Sequence, residues 1–311
     1  MTRYLIRRLV YLIPIWLGIS FVAFSLANLT PGDPARLMLQ RDLGRQPTAE
    51  EVSSVRDTMH LDDPFILRYV RWLENAVTGD LGTSYRTGEP VLSGLAQRFP
   101  STLQIAGLGL ALAIVIALPL GIMAALWRNS AIDHLSRVLA LLGASMPSYW
   151  VAYLLILLFA VKLNMLPVAG KGGWQHLILP SVTLGLGACA SLMRLTRSEM
   201  LEVLGQDYIR TSRAKGLASW AVVVRHGLRN ALIPVTTVVG MRFAGLLGGA
   251  VIVETIFAWP GIGKFVLDSI FDRDYPVIQG FVVFMGTIFL LVNLVVDMSY
   301  AWLDPRIRLS R

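Results

Sequence analysis

The sequence predicts an all-α, polytopic membrane protein with six transmembrane helices and a folded extracytoplasmic insertion between the first two. Of its 311 residues, 55% are hydrophobic and only 15% are charged, and the mean hydropathy is +0.60. A soluble globule of this length could not cover so much apolar surface with so few charges. The single cysteine, Cys189, excludes an internal disulfide framework and any metal site built from several cysteines.

Six apolar stretches approach or exceed the length of about 20 residues that a bilayer crossing needs. They are Leu9–Ala27, Thr102–Leu126, Leu135–Val161, Leu177–Met193, Ala231–Phe257 and Val277–Leu303. The first follows Arg7 and Arg8 and could also be a signal peptide. Its apolar run is longer than the roughly 7–15 residues of a cleavable signal, which favours a retained anchor. The fourth stretch is short and carries Pro180, so its ends are not fixed by the pattern.

The segment between the first two stretches, residues 30–97, mixes arginines with acidic residues. Thr48 followed by Glu51 is typical of a capping box at a helix start. Phe65–Ala76 has the apolar spacing of a second helix. We therefore expect a small folded insertion outside the bilayer.

Basic residues are concentrated in alternate short loops, which explains the net charge of +8 without a nucleic-acid partner. These loops and termini carry Arg3, Arg7, Arg8, Arg128, Arg137, Arg194, Arg197, Arg210, Arg213, Lys215, Arg225, Arg229, Arg306, Arg308 and Arg311. Because short cytoplasmic loops are enriched in Lys and Arg, both termini and the 194–230 loop are predicted to be cytoplasmic. The insertion and the 258–276 loop would then face outward.

The 194–230 loop is patterned as helices around a glycine turn. Ser198 is expected to cap a helix that ends at Leu204, and Ser219 to cap another from Trp220. Gly216 is expected to end the helix between them with a positive φ. A protruding corner of this kind suits docking into a groove on a partner. On physical grounds alone, a solvated basic loop that touches lipid phosphates stays an alternative.

Motifs along nearly the whole chain resemble those of the permease subunits of dipeptide, oligopeptide and nickel ABC importers. They are the segments 208–217, 225–234, 31–34, 79–82, 145–147, 254–261, 273–277 and 304–308. Arg210-Thr-Ser212 stands where the wider superfamily has Glu-Ala-Ala, as is common in the peptide and nickel group. The resemblance implies an N-terminal anchor helix (1–29), the insertion (30–97), a type I permease domain (98–302) and a cytoplasmic tail (303–311).

The resemblance also implies a function and a set of partners. The chain would form half of the path for peptides, nickel or metal chelates in an ATP-driven importer of a prokaryotic plasma (inner) membrane. Its partners would be a second homologous permease, two cytoplasmic ATPases, an extracytoplasmic substrate-binding protein and membrane lipid. ATP and Mg would be bound by the ATPases, so this chain would carry no catalytic residue and no cofactor. The implied ATPase-coupling residues are Tyr208, Arg210, Thr211, Arg213, Ala214, Lys215, Gly216 and Leu217.

The motifs of nucleotide and metal chemistry are missing from the sequence. The string Gly261-Ile-Gly-Lys264 lacks the first glycine and the hydroxyl residue of a phosphate-binding loop. His176 is the one histidine considered as a metal ligand, and no metal site is predicted because a lone loop histidine is seldom a ligand.

Two features of the apolar stretches leave alternatives open. Arg242 lies inside the fifth stretch, where a charge faces a cavity or a counter-charge. It is either a residue of the transport path or a buried partner of Glu254 or Asp297. Small residues recur at Gly240, Ala244 and Gly248, which is typical of close helix packing within the chain, against a second permease or along a path.

Two rival functions differ from an importer subunit. A stand-alone secondary transporter is expected to show several intramembrane acids and repeat symmetry, and the insertion has no counterpart later in the chain. A membrane scaffold without transport is the other rival. The resemblance implies that a separate chain, the substrate-binding protein, largely selects the substrate.

Overall fold

The computed structural model describes residues 2–29 and 32–303, apart from the side chains of residues 2–6, 41 and 299–303. The predicted tail from residue 304 onward, with its motif 304–308 and three arginines, lies outside the described residues, as does Pro31. The helices of the described part are α1 (Thr2–Leu29), α2 (Pro34–Leu43), α3 (Ala49–Thr58), α4 (Phe65–Val77), α5 (Val91–Leu126), α6 (Ala131–Ser145), α7 (Ser148–Leu155), α8 (Gln175–Leu204), α9 (Asp207–Ala214), α10 (Ser219–Ala221), α11 (Arg229–Ile256), α12 (Ile262–Phe271) and α13 (Tyr275–Leu303). Ile156–Lys162 and Val222–Leu228 are wound as π-helices after α7 and α10.

The all-α membrane architecture is confirmed. Within the described residues, five helices are long and apolar enough to cross a membrane, and a sixth crossing results if α6 and α7 form one broken span. The observed helices extend beyond the apolar stretches: α5 begins at Val91 and α8 continues to Leu204. Apolar composition marks the part of a helix in lipid, whereas packing and capping decide where the helix ends.

The third apolar stretch is not one straight helix as the sequence predicted. Its two halves are bent by 105° at the break between Ser145 and Ser148. Met146 has an extended backbone with ψ of 126°. Pro147 explains the break, because its ring disfavours the helical conformation of the residue before it and it has no N–H to donate.

The described contacts group the chain into two compact units. The first comprises Met1–Pro100 and Gly261–Leu290. Its core includes Val91, Leu95, Ile262 and Val277, which are almost fully buried. The predicted capping box is confirmed, since the backbone N–H of Thr48 donates to Glu51 and that of Glu51 donates to the Thr48 hydroxyl.

The insertion is tied to the segment after α12 by buried polar contacts. Asp274 accepts hydrogen bonds from the Ser84 hydroxyl at 2.5 Å and from the Tyr85 backbone at 2.9 Å. Burial, and then the nearby Asp274 carboxylate, raises the pKa of the Tyr85 phenol to about 12. The segments 84–86 and 272–274 therefore form one folded surface within the first unit.

The second unit comprises Ser101–Pro260 and Leu291–Arg311. Helices α5 and α8 cross closely at two glycines, because a Cβ on Gly185 would lie 2.5 Å from the carbonyl oxygen of Gly109. Trp259 is buried and donates its indole N–H to the Ser101 carbonyl at 2.9 Å. These contacts pack α5 against α8 and against the segment that follows α11.

Candidate functional site: a helical corner and a cavity beside Arg242

Residues 207–221, which we call the coupling corner, consist of α9, a glycine turn and α10. Gly216 has φ of +76°, as the sequence predicted. A Cβ at this position would meet no atom within 4 Å. The glycine is therefore required by backbone conformation and not by a close neighbour.

The two serine caps predicted in this region were wrong. Ser198 lies inside α8, which continues past it to Leu204. Thr196 and Met200 are fully buried on either side, so packing favours continuation of the helix over a local cap. Ser219 is the first residue of α10, and Ala218 occupies the cap position without a side-chain hydrogen bond.

One side of α9 anchors the corner to the rest of the second unit. Ile209 is fully buried. The Tyr208 hydroxyl accepts a hydrogen bond from the Asn230 side chain at 3.0 Å, which joins α9 to the first turn of α11. The remaining predicted coupling residues are exposed; they are Arg210, Thr211, Arg213, Ala214, Lys215, Gly216 and Leu217.

The structure adds an aromatic residue that the sequence analysis did not select. Trp220 is 73% exposed at the start of α10, and Leu217 and Val224 are exposed near it in the chain. An exposed tryptophan among arginines and lysines is typical of a surface that binds protein, since interfaces are enriched in aromatic residues and arginine. The available signal was that Trp220 is the single tryptophan of the 194–230 segment.

A buried ion pair holds the inner part of α8 against the start of α6. Asp133 is fully buried, and Arg197 donates to both of its carboxylate oxygens, from Nε at 2.6 Å and Nη2 at 2.8 Å. The backbone N–H of Asn129 donates to the same carboxylate at 2.9 Å. The sequence analysis counted Arg197 only as a basic loop residue, because its partner lies far away in the chain.

A cavity of about 510 Å³ lies among α6, α7, α8 and α11 in the second unit. Its lining includes Arg242, Ser148, Thr183, Met146 and Gly245. The wall is largely apolar with a few polar groups, as is usual for small-molecule sites. Met146, the residue at the bend, thus contributes to the cavity.

Arg242 faces this cavity without a partner among the described residues. Its side chain is exposed and makes no hydrogen bond or ion pair there. Glu254 is instead fully buried and accepts a hydrogen bond from Thr102 at 2.5 Å. Asp297 is half-buried in α13 and has an interaction of its own. Among the described residues, neither acid is therefore an ion-pair partner of Arg242.

The row of small residues in α11 divides into two parts. A Cβ on Gly240 would lie 2.1 Å from Cγ2 of Val296, so Gly240 permits close packing within the chain. Ala244 is also buried. Gly248 has no atom within 4 Å of the corresponding position, and its face is not covered by a described residue.

The His176 side chain forms a hydrogen bond within its own loop. Its Nδ1 donates to the carbonyl oxygen of Gly170 at 3.0 Å. In the described part of the chain, no group of three or more His, Cys, Asp or Glu residues is placed to hold a metal ion.

Comparison with known proteins identifies the family. Residues 117–309 match the family described as the binding-protein-dependent transport system inner membrane component. Residues 1–106 match the N-terminal family of the same transport systems. The chain belongs to this permease family. The permease is accordingly a multi-pass membrane subunit of a binding-protein-dependent ABC importer and a transport component, not an enzyme.

Curated relatives match over nearly the whole length. The permease is 43% identical over 308 residues to the glutathione transport system permease protein GsiC of Escherichia coli strain K12, with 99% of each chain covered. It is 42% identical to the protein of the same name from Shigella flexneri serotype 5b, over the same share of each chain. These identities exclude the two rival classes, a secondary transporter and a scaffold.

A solved structure shares the fold. The permease resembles a chain of the inward-facing MetNI methionine ABC transporter with a TM-score of 0.58 and 20% sequence identity. The match covers 70% of this permease and 99% of the MetNI chain.

Proposed function

We propose that the coupling corner docks into a groove on a cytoplasmic ATPase and transmits its movement to the permease. The observation that carries this proposal is the exposed corner at Gly216, which combines Leu217 and Trp220 with Arg213 and Lys215. Ile209 is buried at its base, and the hydrogen bond between Tyr208 and Asn230 joins it to α11. A displacement of the corner by the ATPase would therefore be transmitted directly to α11.

In the proposed assembly, two homologous permeases bind two ATPases on the cytoplasmic side and a substrate-binding protein on the other. Both termini face the cytoplasm, in agreement with the basic loops. ATP and Mg belong to the ATPases. The anchor (1–29), insertion (30–97), permease domain (98–302) and tail (303–311) remain the proposed domain division.

The cavity beside Arg242 is proposed as part of the translocation path. It has room for a small organic solute, and its lining includes the polar residues Ser148 and Thr183 as well as Arg242. Gly248, which no described residue covers, is proposed to face the same path or the second permease. Gly240, Ala244, Glu254 and Asp297 would support the helices around it.

The proposed substrate is a short peptide of the glutathione type. The relatives named above are glutathione permeases. A carboxylate of such a peptide complements the Arg242 side chain, which has no partner among the described residues. The substrate-binding protein would select the peptide, and the cavity would only have to pass it.

Site-specific photo-cross-linking tests the docking proposal. A photoreactive amino acid at Leu217 or Trp220 in the complete transporter should capture the ATPase. The same probe at Trp174, which is exposed in the segment before α8 and predicted to be outside, is the control and should not. Equal capture of the ATPase at all three positions, or none at the corner, would contradict the proposal. ATP-dependent glutathione uptake by the same complex in liposomes tests the substrate.

A further inference from the structure

Helix α4 of the insertion packs on the C-terminal half of the membrane span of α1. The Phe24 ring lies 5.3 Å from that of Phe65, 5.5 Å from that of Tyr69 and 5.7 Å from that of Trp72, measured between centroids. The Tyr69 hydroxyl lies 2.9 Å from that of Ser20. An insertion helix is thus attached to the side of a span and not only to the end of it.

Two polar contacts fix the depth and direction of α4. Along the axis of α1, Ser20 lies about 10 Å deeper in the bilayer than Ala27, where the apolar run ends, at 1.5 Å per residue. Tyr69 therefore points toward the bilayer centre. Arg68, the neighbouring residue, donates to the side chain of Asn28 just beyond the run. Helix α4 consequently crosses α1 within one leaflet, with one side toward the bilayer centre and the other toward its surface.

The side of α4 that faces the bilayer centre is apolar and uncovered. Ile66 is 60% exposed, Val77 is 69% exposed, and Val70 is also exposed. At 100° per residue, these three and the half-buried Leu73 fall within an arc of about 60°. This arc begins beside Tyr69, the residue that contacts Ser20.

The opposite side of α4 is polar. It carries Arg71 and Asn75 beside Arg68, and Arg71 forms an ion pair with Asp63 at the helix start. The apolar side therefore faces the bilayer centre and the polar side faces away from it. This is the arrangement expected of a helix lying in a membrane interface, with basic residues at the level of the phosphates.

We infer that α4 is an interfacial membrane helix whose face of Ile66, Val70, Leu73 and Val77 is immersed in lipid acyl chains. The occupant is lipid because this face adjoins the exposed apolar surface of α1 at Val10, Ile13 and Leu17. That surface lies within the apolar run of α1, on the same side as Ser20 and Phe24. An interfacial helix typically buries its apolar face about 5–10 Å below the headgroups, which agrees with the depth set by Ser20. The insertion then rests on the membrane through α4.

Spin labelling of the complete transporter in lipid nanodiscs tests this inference. Because Cys189 is the single cysteine and is buried among alanines, Cys189→Ala provides the background. Single cysteines replace Ile66, Val70 or Val77, with Val22→Cys as the lipid reference and Asn75→Cys, on the polar side of the same helix, as the water reference. Each carries a nitroxide, and its collision rates with oxygen and with a water-soluble nickel chelate are measured.

The labels at Ile66, Val70 and Val77 should show a several-fold higher ratio of oxygen to nickel collisions than the label at Asn75, close to that of Val22. A ratio equal to that of Asn75 would place the face in water and overturn the inference. Immobile labels shielded from both reagents would show that protein, such as the second permease, covers the face, and would overturn it equally. Uptake activity of each variant confirms that the transporter is assembled.

Discussion

The positive φ of Gly216 should matter for the function of the coupling corner and not for insertion of the permease. A β-branched residue at positive φ costs at least about 1–2 kcal/mol in backbone strain. We expect Gly216→Val to leave the permease inserted but to abolish uptake, because relief of this strain would re-aim α9 and α10 at the ATPase. Uptake and co-purification of the ATPases measure the effect. Arg213→Ala and Lys215→Ala should be milder, since exposed charges contribute little individually.

Gly44 offers a matched control for that substitution. It ends α2 with φ of +63° and, like Gly216, has no atom within 4 Å of a built Cβ. Gly44→Val therefore introduces the same kind of strain outside the coupling corner and should retain uptake. Equal loss of uptake in both variants would show that the strain acts through folding and not through docking.

Arg242 should affect transport without affecting stability. Hydrogen bonds to charged groups contribute about 1.5–3 kcal/mol, so Arg242→Gln should lower uptake of an anionic peptide at limiting concentration by about tenfold or more. Arg242→Lys should retain part of the uptake. Thermal unfolding should be unchanged in both, because Arg242 contacts no described partner.

By contrast, Glu254→Ala should lower the unfolding temperature, since it removes the buried partner of Thr102. An Arg242→Gln variant that is unstable would point to a structural role.

Between elements, the Asp133–Arg197 pair should account for much of the attachment of α8 to α6. Arg197→Met removes two hydrogen bonds from the buried Asp133 carboxylate and leaves Arg137, whose Nε lies 3.5 Å from it, as the remaining cationic partner. We expect this change to destabilise the permease by about 3 kcal/mol. This is the low end for buried pairs, because Arg197 keeps 21% of its side chain exposed. Asp268→Ala removes the exposed Lys264 pair and should cost less than about 1 kcal/mol. Thermal unfolding in detergent compares the two, and similar shifts would contradict this assignment.

The start of α3 should depend on pH. Hydrogen bonds from Arg45 and then from the Thr48 backbone lower the pKa of the Glu51 carboxyl to about 2. A lowered pKa stabilises the folded state above the ordinary value of about 4.5, and this contribution is lost as the pH falls toward 2. A nitroxide at Ser53, in the Cys189→Ala background, should become more mobile over that interval. Glu51→Gln, which cannot titrate, should show no such transition. The same transition in both variants would assign it to other groups.

At the scale of the whole molecule, the insertion should matter for the substrate-binding protein. Replacing residues 47–60 by a flexible linker removes α3 and leaves α4 on α1. The permease should still assemble, and stimulation of ATPase activity by limiting substrate-binding protein should fall. Basal ATPase activity is the control. Full stimulation in this variant would exclude α3 from the contact.

Local chemistry was predictable from the sequence and long-range contacts were not. The capping box at Thr48 and the positive φ of Gly216 depend on residues within one helical turn, so sequence patterns reveal them. The Asp133–Arg197 pair joins positions 64 residues apart, and no local pattern reports such a contact. The bend at Pro147 was missed because the apolar composition continues through it. Ser198 failed as a cap because burial of Met200 outweighs a local hydrogen bond.

Helix α10, the π-helix Val222–Leu228 and α11 form one continuous helical segment from Ser219 to Ile256. It therefore connects the coupling corner to Arg242 as a lever about 35 Å long, at 1.5 Å per residue. A tilt of about 5° at the corner would displace the Arg242 backbone by about 3 Å, comparable to the length of one hydrogen bond. A small rotation imposed by the ATPase would thus be enough to make or break a contact with a solute, with no change in the fold of either end.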